Sequence, residues 1–312
     1  MLSRFFNAFI AVLLVSASTG AHAAQAFLIA DSKTGNILLE RESKQKRQVG
    51  SLTKVATALV VLDWADKHAG DLNQLATVPA EALAGTSENL VGLQAGDTIT
   101  LRDLLYAALV QSDNIAAYTL AHHVGQALTG IVPAARNGSP VATFVGQMNA
   151  LAANLRMSRT HFVNPTGIDS QKPFPHSTAL DMARLTRYAL SKASFRFYVS
   201  QKERQIAFSR AGTRKEYILR NTNELLGTNG VEGVKTGRTA RAGDCLILSA
   251  QRKADIVKLS ETSTTVIPRQ LIIVLLGSTN RFAEGGQLLG QAWQLHDQWA
   301  AAGRPVNPKK AL

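Results

Sequence analysis

The apolar runs that read as strands lie at the two ends of this chain, and the stretch between them reads as helix. Ala26–Ala30 and Ile37–Glu40 come early, and Cys245–Ala250 and Leu271–Leu276 come late. Runs of four to eight apolar residues bounded by Gly, Asn or charged residues are strand signals. Alanine-rich sequence of helical character fills roughly 52–195. A sheet must bury its apolar faces, so strands at both ends predict one antiparallel sheet with the intervening helices covering it. Residues 287–299 carry apolar side chains at 288, 289, 292, 293, 295 and 299, the spacing of an amphipathic helix that packs on that sheet. Polar residues 251–265 read as a long hairpin connection, and 129–140 as a surface insertion.

Three short motifs fall on this frame: Ser51-Leu52-Thr53-Lys54, Ser112-Asp113-Asn114 and Lys235-Thr236-Gly237. Ser-x-x-Lys, Ser-x-Asn and Lys-Thr-Gly in this order are the fingerprint of serine acyl-transferases that penicillin inhibits. Each alone is weak, and the chain carries a second copy of all three. Ser43 and Lys46 make another Ser-x-x-Lys, Ser87-Glu88-Asn89 another Ser-x-Asn, and Lys33-Thr34-Gly35 another Lys-Thr-Gly. Local context decides between them.

The chemistry needs a serine at a helix start with a lysine one turn on, because residues i and i+3 share a face. An apolar run follows Ser51, whereas Ser43 sits among charged residues that read as a solvated loop. Lys33-Thr34-Gly35 separates two strand-like runs and reads as a hairpin turn, with Gly35 and Asn36 tolerating positive φ and Lys33 in solvent. Lys235 instead leads into the strand at 245–250. Ser112-Asp113-Asn114 lies between two helical runs, 101–110 and 115–124, where Ser and Asp also make good helix caps. The first-named copies are therefore the candidate site.

On these motifs the chain resembles the low-molecular-weight penicillin-binding proteins, the D-alanyl-D-alanine carboxypeptidase family of serine peptidases. The likeness runs from about Ala26 to about Trp299. It extends to the loop 160–169 with the following helix from His176, where Thr178 and Asp181 have capping-box spacing, and to Asn221–Leu226. The resemblance implies a β-lactamase/transpeptidase-like α/β fold: an antiparallel sheet flanked by helices, an all-helical subdomain, and the active site between them. It implies Ser51 as nucleophile, Lys54 as its base, Ser112 as proton relay and Asn114 as a substrate or Lys54 partner. A neighbouring cation favours a neutral lysine, and the resemblance places Lys235 there. It further implies backbone N–H groups of Ser51 and Arg238 as the oxyanion hole, with Lys235, Thr236 and Thr239 near the substrate's terminal carboxylate. Gly237 completes that strand motif. Relatives often carry histidine where this chain has Arg238. Arg281 is either a second carboxylate partner or a surface arginine.

The implied substrate is the D-Ala-D-Ala end of a peptidoglycan stem peptide, with β-lactams as covalent inhibitors. The same chemistry serves a D-alanyl-D-alanine endopeptidase that opens cross-links, and the runs 120–123 and 219–223 resemble that branch. A class A β-lactamase needs a Glu-x-x-Leu-Asn loop before Lys-Thr-Gly, and none lies between Asn114 and Lys235. A non-catalytic peptidoglycan-binding protein would not need an intact Ser51 and Lys54.

Residues 1–23 read as a signal peptide: Arg4, about eleven apolar residues, then Ala21-His22-Ala23. Uncleaved, they would be a membrane anchor; either way the enzyme works outside the cytoplasm, in the periplasm or envelope. The catalytic domain is then 24–302, with a polar tail 303–312 that leaves no room for a further C-terminal domain. The formal net charge is +12. The basic stretches either meet anionic envelope polymers or form a solubilising surface. Without interleaved aromatics or a nucleic-acid motif they do not predict DNA or RNA binding. Cys245 is the sole cysteine and sits in an apolar strand, so it reads as a small buried residue. The seven histidines lack metal-ligand spacing, and no metal or cofactor is called for.

Overall fold

The computed structural model describes residues 24–84, 89–129, 138–170, 172–258, 260, 263–308 and 311–312. Residues 1–23, which read as a signal peptide, most of 129–140, which read as an insertion, and two residues of the second Ser-x-Asn copy, Ser87 and Glu88, lie outside them. In chain order, strands β1 (Ala26–Asp31) and β2 (Ile37–Arg41) precede a 3-10 turn (Gly50–Thr53) that runs into helix α1 (Lys54–His68). Then come β3 (Leu75–Thr77), β4 (Thr98–Thr100), α2 (Leu101–Val110), α3 (Asn114–Thr129), α4 (Pro140–Asn154), α5 (Ala179–Ser191) and α6 (Ala193–Val199). The chain closes with β5 (Glu203–Arg210), β6 (Thr213–Arg220), β7 (Val231–Thr239), β8 (Gly243–Lys258), β9 (Thr264–Ser278) and α7 (Arg281–Ala301).

The main sheet joins both ends of the chain in the order β2-β1-β9-β8-β7, all antiparallel. Its central strands β1, β9 and β8 carry continuous apolar runs because both faces are covered there. Along β1, Ala26, Leu28 and Ala30 face one apolar cluster with α1 and α5, while Phe27 and Ile29 face a second with Leu288, Leu289, Ala292 and Trp293 of α7. Successive side chains point to opposite faces, so one strand feeds two cores. The C-terminal amphipathic helix thus packs on the sheet as its spacing predicts. No helix among the described residues is long and apolar enough to cross a membrane.

The helical part holds a second sheet that the sequence pattern did not reveal, β3-β4-β5-β6. The hairpin read at 251–265 is strand-paired where it is described: β8 and β9 run on as a ribbon, with Ile256 opposite Val266 and Lys258 opposite Thr264. The polar tail is seated, since Arg304 pairs with Asp255 and Leu312 N donates to the Gly35 carbonyl at 3.0 Å. Of the hairpin pair Gly35 and Asn36, only Gly35 takes positive φ, +76°.

Candidate active site

Ser51 lies in the 3-10 turn, one step outside α1, rather than on the α-helix that its context predicts. At three residues per turn, side chains at i and i+3 eclipse, which stacks Ser51 directly under Lys54. Lys54 Nζ contacts Ser51 Oγ at 2.8 Å, Asn114 Oδ1 at 2.7 Å and the Thr166 carbonyl at 3.0 Å. Its side chain is fully buried. A neutral amine has two N–H donors and one lone pair. Two of these partners are carbonyl oxygens that can only accept, and the third is a hydroxyl that can donate. An ammonium with three donors and a neutral amine with two donors and a lone pair both fit these partners, so Nζ is placed to exchange a proton with Ser51 Oγ.

Each partner of Lys54 is fixed by its own element. Asn114 opens α3, and buried Asp113 caps that helix by accepting from Ala116 N at 2.8 Å, while also accepting from Val91 N at 3.1 Å. Burial pushes the Asp113 carboxyl above the usual range; the backbone N–H groups of Ala116 and Val91 and nearby Lys54 offset this only in part. Ser112 is half-buried at φ +68°, a left-handed conformation that few non-glycine residues adopt and that turns the loop between α2 and α3. Gln111 ties the same loop to the second sheet, donating to Tyr217 Oη at 2.7 Å and accepting from Arg220 N at 3.1 Å.

The Thr166 carbonyl belongs to the loop 160–177. Two bridges close its base, His161 with His176 and Arg47 with Ser177. Asn164 Oδ1 gathers Thr166 N, Thr166 Oγ1 and Gly167 N at 2.7–3.1 Å, a side-chain turn that aims the 166 carbonyl inward. A Cβ at Gly167 would stand 2.0 Å from the Gly50 carbonyl, so only glycine lets this loop lie against the turn that bears Ser51. Asn114 and Thr166, two of the partners of Lys54, border a cavity of about 350 Å³ together with Tyr118, Val163 and Ile168.

The opposite wall is β7, the edge strand of the main sheet. A Cβ at Gly237 would lie 2.8 Å from the Val49 carbonyl and 3.1 Å from Ser51 N. One at Gly50 would lie 3.2 Å from Arg238 N. The strand and the nucleophile turn therefore pack backbone to backbone, with both candidate oxyanion donors at the seam. Lys235 is buried and its Nζ donates to the Thr236 carbonyl at 3.0 Å. Thr236 Oγ1 sits 2.6 Å from Thr222 Oγ1. Arg281 is held rather than loose on the surface: its Nη1 donates to the Gly237 carbonyl at 3.1 Å and to Asp244 at 3.3 Å. The Arg238 side chain is exposed, with Asp244 at 3.5 Å. Thr239 Oγ1 donates to Asp169 at 2.6 Å and accepts from Ala242 N at 2.9 Å, so its hydroxyl fastens β7 to the 160–177 loop. Arg241 over the Phe174 ring makes a second such fastening.

The structure thus brings Ser51, Lys54 and Asn114 into contact and packs the Lys235–Arg238 strand against their turn. Sequence reasoning did not single out Thr166, Asp169, Thr222 or Asp244. The Asn164-Pro165-Thr166-Gly167 run could have flagged Thr166, because an Asn before Pro and Gly organises a turn. The second copies behave as turn and loop: Lys33 is exposed, and Ser43, though buried rather than solvated, is turned toward Glu40. Cys245 is buried, and burial pushes its thiol up to about 11.

The sequence pattern of the D-alanyl-D-alanine carboxypeptidases (Peptidase_S11) matches residues 14–260. The chain belongs to that family of serine-type D-Ala-D-Ala peptidases. It is 31% identical to the D-alanyl-D-alanine carboxypeptidase of Streptomyces sp. (strain K15) over 238 residues, 75% of this chain and 79% of the relative. It is 32% identical to the D-alanyl-D-alanine endopeptidase of Pseudomonas aeruginosa over 228 residues, 71% of this chain and 65% of the relative. Other family members are longer: this chain spans about half, 55%, of the Bacillus subtilis carboxypeptidase it matches. In three dimensions it is similar to the Streptomyces K15 DD-transpeptidase, with a TM-score of 0.73 at 27% identity, covering 88% of this chain and 98% of that one. It is also similar to penicillin-binding protein D2 of Listeria monocytogenes in its ampicillin-bound form, with a TM-score of 0.68 at 25% identity over 87% of this chain and 98% of that one. The antiparallel sheet with flanking helices is the family's fold.

Proposed function

We propose that this chain is a carboxypeptidase that removes the terminal D-alanine from peptidoglycan stem pentapeptides through an acyl-enzyme on Ser51. The observation that carries this reading is Lys54 Nζ, held between Ser51 Oγ and two carbonyl acceptors. Lys54 takes the Ser51 proton as the hydroxyl attacks the D-Ala carbonyl carbon, since a serine hydroxyl is a weak nucleophile without a base. The backbone N–H groups of Ser51 and Arg238 stabilise the developing oxyanion, a contribution of about 3 kcal/mol per donor in comparable sites. The peptide C–N bond breaks, Ser112 passes a proton to the leaving amine, and D-alanine departs. Water then cleaves the ester and restores Ser51.

The extended substrate lies along the free edge of β7, adding a strand to the sheet. Its terminal carboxylate meets Thr236 and Arg281, while Lys235 supplies positive charge behind the strand. Thr239 acts at one remove, by holding the strand's end to Asp169. β-Lactams, which offer a similar carbonyl beside a carboxylate, acylate the same serine and are released slowly, because no glutamate of the β-lactamase kind supports deacylation. The signal-like leader fits export to the periplasm or envelope, where the substrate is.

A second reading, endopeptidase cleavage of cross-links, is favoured by relatives of that name at 32% and 28% identity, as near as the carboxypeptidases. Mass spectrometry of products from a pentapeptide muropeptide and a cross-linked dimer separates the two. Release of free D-alanine from the pentapeptide supports the first. Opening of the dimer with no D-alanine from the pentapeptide reverses the order, and a chain inert on both that still forms a penicillin adduct overturns both.

A further inference from the structure

The segment 221–223 touches both walls of the cleft. Thr222 N donates to the Val110 carbonyl at 3.1 Å, at the end of the helix that leads to Ser112. Its hydroxyl oxygen lies 2.6 Å from that of Thr236 on β7. The flanking asparagines hold the segment still. Asn221 Nδ2 donates to the Gln201 carbonyl at 2.8 Å and to Val199 at 3.3 Å, and its Oδ1 accepts from Asn223 N at 2.9 Å. Asn223 Oδ1 in turn accepts from Leu225 N at 3.2 Å. Thr222 is therefore fixed from its backbone and from both neighbours.

Two hydroxyls at this separation share one proton along the line between their oxygens, and the other proton points elsewhere. A carboxylate offers only acceptors, so a threonine that binds it must turn its own proton toward it. If Thr236 does so, the proton between the two threonines has to come from Thr222. The geometry points to Thr222 as a positioning residue that orders the Thr236 hydroxyl as a donor to the substrate's terminal carboxylate. It thereby sets how strongly the enzyme prefers a leaving residue with a free α-carboxylate. The inference rests on the reading that Thr236 faces that carboxylate.

The test compares Thr222→Val, Thr222→Ser and Thr236→Val on two substrates, diacetyl-Lys-D-Ala-D-Ala and the same peptide with a C-terminal carboxamide. Valine keeps the shape of threonine and loses the hydroxyl; serine keeps the hydroxyl. A lost hydrogen bond on the path to a charged group is worth about tenfold in kcat/KM, so Thr222→Val should lose about that on the acid, mostly through KM. On the amide it should change less than about twofold, and Thr222→Ser should recover most of the acid rate. Melting temperatures of the three variants confirm that each is folded. Equal losses on acid and amide, or a serine variant as impaired as valine, overturn the role of Thr222. If Thr236→Val itself fails to discriminate acid from amide, the carboxylate reading fails first, and the inference with it.

Discussion

The chain contains Lys-Thr-Gly twice, and the two copies differ in everything except their side chains. At 33–35 the tripeptide turns the β1–β2 hairpin, with Lys33 in solvent and Gly35 at φ +76°. At 235–237 it lies inside β7, with Lys235 buried and Gly237 pressed against the Val49 carbonyl and Ser51 N. Glycine serves conformation in the first place and close approach in the second. Threonine differs in the same way: Thr34 folds back on Asp31 within its own turn, whereas Thr236 reaches Thr222 on a separate segment 14 residues away. A motif acquires chemistry from what its backbone lies against.

The largest effect should separate the two Ser-x-x-Lys copies. Ser51→Ala should abolish penicillin labelling, whereas Ser43→Ala should label normally and lose at most about 1 kcal/mol of stability with its part-buried hydrogen bond to Glu40. Tryptic mass mapping should find the adduct on Ser51; persistent labelling of the Ser51 variant would refute the assignment. Lys54→Arg keeps the charge but cannot give up a proton at working pH, so acylation should fall at least about a hundredfold. Acylation within about threefold of wild type would reduce Lys54 to an electrostatic helper.

A smaller effect distinguishes the two glycines. Gly237→Ala forces β7 away from the nucleophile turn, and a displacement near 1 Å at a reacting centre costs on the order of a hundredfold. Acylation should fall by about that much, and the clash with buried backbone should lower the melting temperature as well. Gly35→Ala should cost roughly 1–2 kcal/mol for a left-handed alanine and leave acylation intact. Denaturant melts beside acylation rates give both comparisons, and equal acylation losses would erase the distinction between turn and strand.

The same contrast explains what the sequence could and could not disclose. The main sheet was legible because β1, β8 and β9 are buried on both faces, which writes continuous apolar runs. The second sheet was not: β6 buries only Leu219 well, leaves Ile218 exposed, and opens on the polar run Thr213–Glu216, which reads as loop. The pairing of 251–258 with 264–270 is hidden for the same reason, since it lies in the backbone while the side chains there are exposed or half-buried and mostly polar. In the site, Ser51, Lys54 and Asn114 could be read because their side chains meet. The third partner of Lys54 is a backbone carbonyl, and any residue at 166 has one. Asp169 and Thr222 act on residues 70 and 14 positions away, through contacts that only the packed structure makes.

The smallest predicted effect concerns the residue between Ser112 and Asn114. Asp113 is buried, and its carboxyl is pushed above the usual range by loss of water, despite backbone hydrogen bonds from Ala116, Val91 and Leu90. A carboxyl whose native pKa exceeds its unfolded value stabilises the fold most when protonated. That contribution is full below the unfolded pKa and is lost as pH rises through the native value. Asp113→Asn removes the titration while keeping an acceptor for Ala116 N, and it leaves Val91 N without one. The variant should therefore carry a fixed penalty at low pH that shrinks as pH rises, because the wild type then bears the cost of a buried charge and the variant does not. Urea midpoints of both proteins from about pH 3.5 to pH 7 measure this difference directly. A gap that stays constant across the range would mean that Asp113 titrates as an ordinary carboxylate; a gap that widens would mean that the ionised form is the stabilised one.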